Sequence, residues 1–218
     1  MNYLVVDFEF TFYKRPVGRP RNFFAEIIEI GAVKLDENFN ECGKLQSFVK
    51  PHFFPKHAKD AMDFCMITDA DMKKAITFPA MLEKMSAMYE AGKTLFVAWG
   101  DSDYKVLAEG CSRHKLDNPA LEADYLDLAE AYKLWRGEEN TPGLKTAITE
   151  MEVTADGLAH TAYDDATILA KCLQKCWKKV GLTKLTLVRK KCLQNENHRH
   201  FSRGIFLQRI SWRPSSYC

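Results

Sequence analysis

No apolar run in this 218-residue chain approaches the ~20 residues needed to span a bilayer. The N-terminus has no basic region ahead of an apolar core and meets an acid at Asp7, so a secretory leader is not expected. The seven cysteines are odd in number and scattered, which excludes a disulfide framework and fits reduced thiols in a cytoplasm. Cys172, Cys176, Cys192, His198, His200 and Cys218 match no zinc-binding spacing. Internal repeats are absent as well. What is present is 46% hydrophobic and 28% charged residues, enough for one α/β domain with a proper core. Acids are scarce in one place only. From Leu182 onward eight Lys/Arg face the single acid Glu196, whereas residues 1–181 hold 23 cations and 28 acids. The expectation is a folded domain over 1–181 and a flexible basic C-terminal extension over 182–218. That extension would meet a polyanion or dock on the acidic body.

Tyr3 to Thr11 is an apolar, β-favouring stretch that carries Asp7 and Glu9. Alternate side chains of a strand share a face, so the two carboxylates point together beside Val5, while Leu4, Val6, Phe8 and Phe10 point the other way. Two parallel acids repel and resist desolvation, which a bound cation relieves. Read alone, the strand could equally be a solvated acidic edge. Tyr13 to Asn22 follows as a Pro- and Gly-containing insertion with the cations Lys14, Arg15, Arg19 and Arg21. Phe24–Leu35 and 42–50 read as two further strands joined by a turn at Asp36–Asn40, an antiparallel meander.

Beyond it, residues 55–92 read as helical pieces with Asp69 as a cap, and Thr94–Trp99 as a short buried strand. A helix follows from Asp101 to about Ser112, then a brief strand at Ala123–Leu126 and a helix to 136. Gly143–Met151 and Ala162–Val180 complete the helices. This order predicts an α/β fold, a mixed five-stranded sheet with helices on its faces. On the last helix Asp165 aligns with Leu169, Cys172 and Cys176, so it points at the core, with Asp164 about 100° away. On the helix after Trp99, Asp103 shares a face with Val106 and Leu107, while Asp101 caps. Asp103 could also be a first-turn acid favoured by the helix dipole.

Asp7, Glu9, Asp103 and Asp165 are then four inward acids. All-oxygen sites suit Mg²⁺ or Mn²⁺ rather than zinc. A pair of such ions ~4 Å apart clamps the attacking and leaving oxygens of a phosphoryl displacement. His160, five residues before Asp165, has the pKa range to take a proton from the attacking water.

These segments resemble the DEDDh family of 3′–5′ exonucleases, named for four acids and a histidine. The first motif lies at Asp7-Phe8-Glu9-Phe10-Thr11, the second at Trp99-Gly100-Asp101-Ser102-Asp103, and the third at His160-Thr161-Ala162-Tyr163-Asp164-Asp165-Ala166. Glu26–Val33, Ile67–Met72 and Phe78-Pro79 also match, so the resemblance covers about residues 2–180. It implies a ribonuclease H-like fold and an exonuclease domain over 1–181. It also implies hydrolysis from the 3′ end of single-stranded RNA or DNA, RNA favoured. Asp7, Glu9, Asp103 and Asp165 would hold two Mg²⁺ ions, with Mn²⁺ able to substitute, and His160 would be the general base.

Within the family the chain is most similar to the ERI-type branch of RNA-trimming enzymes and to bacterial KapD-like proteins. The latter are described as inhibitors of a sporulation kinase pathway. An alternative is therefore a regulatory binding protein that uses the nuclease fold on a protein partner. Many relatives carry Thr-Gly where this chain has Cys65 and Met66. The residues expected at the substrate are Phe10, Thr11, Phe12, Met66, Ile67 and Trp99, with Lys14, Arg15, Arg19 and Arg21 as a phosphate guide.

Overall fold

The computed structural model describes residues 1–14, 18–119, 124–154 and 161–180. Five strands form one sheet in the order β3-β2-β1-β4-β5. β1 (Asn2–Phe10), β2 (Ile27–Leu35) and β3 (Glu41–Phe48) make the expected antiparallel meander. At its turn the Asp36 carboxylate accepts the N–H groups of Asn38 and Asn40, each at 2.8 Å. β4 (Thr94–Ala98) and β5 (Asp124–Asp127) extend the sheet parallel to β1. The sheet is therefore mixed, as the sequence predicts.

β1 is buried on both faces, which explains its unbroken apolar reading. Tyr3 and Val5 pack with α5 (Leu128–Arg136), α6 (Leu144–Glu150) and α7 (Ala162–Val180). Leu4, Val6 and Phe8 pack on the other side with α3 (Phe78–Ser86) and α4 (Ser102–His114). A third cluster joins Ile28 to α1 (Lys59–Phe64) and the turn behind it, ahead of α2 (Asp69–Lys74). Among the described residues no helix is long and apolar enough to cross a membrane.

Several boundaries differ from the sequence reading, each for a local reason. β2 begins at Ile27 rather than Phe24, because the Glu26 N–H goes to the Thr11 side chain instead of a strand carbonyl. The Glu26 carboxylate accepts the N–H groups of His52, Phe53 and Phe54 at 2.6, 2.8 and 2.6 Å. Thr68, not Asp69, caps α2 through a reciprocal capping box with Asp71. Asp101 stands at the N-cap position of α4 without making the capping bond, and its carboxylate pairs with Lys105 at 2.8 Å. α3 stops at Ser86, three residues short of Tyr89. His160, Arg15 and the basic stretch 182–218 lie outside the described residues.

Candidate active site

The site forms where β1 and β4 part. Their pairing ends at Val5 and Val97, so β1 runs on toward Phe10 with no β4 partner on that edge. A buried N–H left there needs an acceptor. Asp103, in the first turn of α4, supplies it: its Oδ1 accepts the Phe8 N–H at 2.8 Å. The carboxylate is 6% exposed and is thereby carried into the sheet end beside Asp7. The inward facing expected of Asp103 is correct, and its backbone anchor is the added detail.

α7 approaches from the other side. Gly31 of β2 stands opposite Asp7, and a Cβ there would fall 2.0 Å from the Ala162 carbonyl oxygen. Only glycine lets the first turn of α7 lie against the strand. Glu29 of β2, opposite Glu9, accepts the Ala162 N–H at 3.4 Å and so places a carboxylate at the positive end of the helix. Thr161 and Asp164 close that turn through mutual bonds of 2.7 and 3.2 Å, which engage the Asp164 carboxylate outside the acidic trio, though near enough to Glu29 to raise it. Asp165 is left facing β1.

The result is a compact acidic group. One carboxylate oxygen each from Asp7, Glu9 and Asp165 lie within 4.8 Å of one another. Asp103 is outside that trio but close enough to act on Asp7. Burial, then Asp103, Glu9 and Asp165, push the Asp7 carboxyl well above the usual carboxylate range. Burial likewise takes Glu9 and Asp103 each to about 7, and raises Glu29. Partly buried acids held this close without compensation are unfavourable, and hard oxygen donors in this arrangement fit Mg²⁺ or Mn²⁺.

Cys65 contributes an unforeseen contact. Its Sγ donates to Glu9 Oε2 at 3.0 Å, and burial among the acids holds the thiol protonated. Sequence reasoning assigned no role to Glu29 or Gly31, and it named Cys65 only as a departure from the Thr-Gly of many relatives. Strand alternation from Glu9's partner could have found Glu29, and a lone glycine inside a strand could have flagged Gly31.

The expected substrate contacts divide. Met66 is 60% exposed and adopts a left-handed backbone, φ 57°, just past the end of α1. Glycine is the usual residue at such a helix end, so methionine holds it against a penalty of about 1 kcal/mol. Phe12 is half-buried, with Phe64 edge-on at 6.0 Å. Trp99 is also half-buried and packs beside Tyr132. Three others pack within the framework. Thr11 is fully buried and its Oγ1 accepts the Glu26 N–H at 2.9 Å, closing the end of the β1–β2 pair. Ile67 is 4% exposed and packs with Ile28 and Ala61. Phe10 lies on the face opposite the acids, against the α3–α4 cluster. Strand parity and core demand put these three side chains in the framework. Arg19 and Arg21 are exposed, and Arg19 lies 5.3 Å over the Phe23 ring.

The family model described as an exonuclease, RNase_T, matches residues 4–173. The chain belongs to the exonuclease family, in its DEDDh-type 3′–5′ branch. It is 34% identical over 166 residues to "Probable 3'-5' exonuclease KapD" of Bacillus subtilis, covering 75% of this chain and 78% of that protein. It is 26% identical to the human ERI1 exoribonuclease 2 over 75% of its own length but only 26% of that protein's. Among solved structures it superposes on the nuclease domain of 3'hExo, a DEDDh family member bound to rAMP, with a TM-score of 0.70 at 23% identity. That match covers 83% of this exonuclease and 94% of the domain. The mixed sheet is thus the ribonuclease H-like fold. The enzyme class expected from the three motifs stands.

Proposed function

We propose that this exonuclease removes nucleoside 5′-monophosphates from the 3′ end of single-stranded nucleic acid, RNA in preference to DNA, with two divalent ions held by Asp7, Glu9, Asp103 and Asp165. The observation that carries the reading is the trio of carboxylate oxygens within 4.8 Å at the end of β1. Bound ions would neutralise the acids and stabilise the charge that develops on the attacking and leaving oxygens. Asp103 holds the Phe8 amide with one oxygen, which fixes the strand that presents Asp7 and Glu9. His160 would take the proton of the attacking water. Met66, Phe12 and Trp99 would contact the terminal nucleotide, and Arg19 and Arg21 would guide phosphates. The ribonucleotide monophosphate bound by 3'hExo supports RNA as the substrate.

The test is a 5′-labelled oligonucleotide series, matched RNA and DNA, with free and blocked 3′ ends. Stepwise shortening that needs Mg²⁺ or Mn²⁺ and a free 3′ end, and that is lost in His160→Ala, is the expected result. Full activity of His160→Ala would remove the histidine from its role. No nucleotide release at all from any strand would favour the regulatory reading, in which the fold serves a protein partner.

A further inference from the structure

We propose that a belt of aromatic rings beyond the acidic group is a track for the single-stranded nucleic acid that lies 5′ of the terminal nucleotide. The proposal rests on the exonuclease reading above and adds a second binding region to it. The belt runs through Tyr13, Phe23, Phe54, Phe24, Phe53 and His114. Successive ring centroids are 5.5, 5.2, 5.3, 5.1 and 5.0 Å apart. Buried Phe78 stacks on His114 at 4.7 Å and ties that end to α3. Tyr13 follows Glu9 by four residues, so at most ~14 Å of chain separates the belt from the acids.

These rings do not close over one another as a core does. Phe53 keeps 39% of its surface in solvent and His52 beside it is exposed. Their presentation is rigid, because the Glu26 carboxylate binds the three amides that carry His52, Phe53 and Phe54. Glu26 is in turn joined to the end of β1 by Thr11. Two guanidinium groups lie on the rings: Arg19 at 5.3 Å from Phe23 and Arg113 at 4.5 Å from Phe24. The described segments that build the belt (13–14, 18–26, 50–57 and 109–114) hold six Lys/Arg and two acids. Of those acids, Glu26 is buried on its amides and Glu109 is paired with Arg113 at 2.7 Å. Half-exposed rings interleaved with cations are what a single strand requires, since bases stack on the rings and phosphates meet the cations. Aromatic and Arg residues also mark protein interfaces, but six cations beside two satisfied acids favour a polyanionic strand as the occupant.

The experiment measures binding of the full chain to 3- and 12-residue oligouridylates by fluorescence anisotropy in chelator, so that no strand is cut. The wild type should bind the longer strand better. Phe53→Ala should lower the ratio of the two affinities about tenfold, the range for losing one stacked base. Phe53→Tyr should keep the ratio, and His52→Ala, at an exposed position, should lower it less. A ratio unchanged in Phe53→Ala, or equally reduced in Phe53→Tyr, would overturn the track. The cleavage series above separates the two readings: a wild type that cuts no strand yet shows the Phe53-dependent ratio would refute the exonuclease assignment and keep the belt.

Discussion

Two groups of sequestered carboxylates sit at one end of the sheet, and they differ in what surrounds them. Glu26 receives three backbone N–H groups, so its charge is satisfied by the fold itself. Asp7, Glu9 and Asp165 instead bring their own oxygens together, and the Cys65 thiol donates to Glu9. The first arrangement locks a loop. The second gathers like charges whose repulsion a cation would relieve, which is the role proposed for it above. The contrast is clear because both lie within a few residues of the β1–β2 end.

The sharpest way to break the comparison is to neutralise one member of each group. Asp7→Asn should lower the rate of nucleotide release by more than ~10²-fold, since a metal ligand carries several kcal/mol of transition-state stabilisation. It should leave the melting temperature in chelator equal or higher, because a repulsive charge is gone. Glu26→Ala should do the reverse to stability, with a loss on the order of 3 kcal/mol as three amides lose their acceptor. Thermal melts beside initial rates check both. A destabilised Asp7→Asn would mean that the trio is structural after all.

Titration offers a milder test. Glu9 and Asp103 are raised to about 7 from ordinary values of 4.5 and 3.8. Between those limits the folded chain binds more protons than the unfolded one, so metal-free stability falls as pH rises from about 4 to 7. The melting temperature in chelator should drop by several degrees or more between pH 5 and 7.5, and Mg²⁺ or Mn²⁺ should recover it. A flat profile in chelator would contradict the uncompensated repulsion.

The smallest expected effect belongs to Cys65. Cys65→Ala removes the donor to Glu9, and the metal concentration giving half-maximal rate should shift a few-fold, near 1 kcal/mol. Cys65→Ser should return it toward the wild type. An unchanged midpoint in both would show that the thiol only fills space.

Much of this was legible along the chain. Period-two alternation in Tyr3–Thr11 put Asp7 and Glu9 on one face, and helical spacing put Asp103 and Asp165 inward, as the structure has them. The meander and the flanking helices followed from the same periodicities. Substrate contacts were less legible, because Thr11, Ile67 and Phe10 are adjacent in sequence to site residues yet point into packing. Burial depends on what lies across the sheet, which local pattern does not contain.

Strand and helix order, the facing of the four acids and the exonuclease motifs can be read from residue order alone. This is so because facing is a property of backbone period and residue type. Three contacts emerge only in the folded chain: Gly31 admits the start of α7, Asp103 holds the Phe8 amide, and Cys65 reaches Glu9 across 56 positions. The aromatic belt is of the same kind, drawn from four segments spread between residues 13 and 114. Such contacts depend on close approach in space, and no spacing along the chain encodes them.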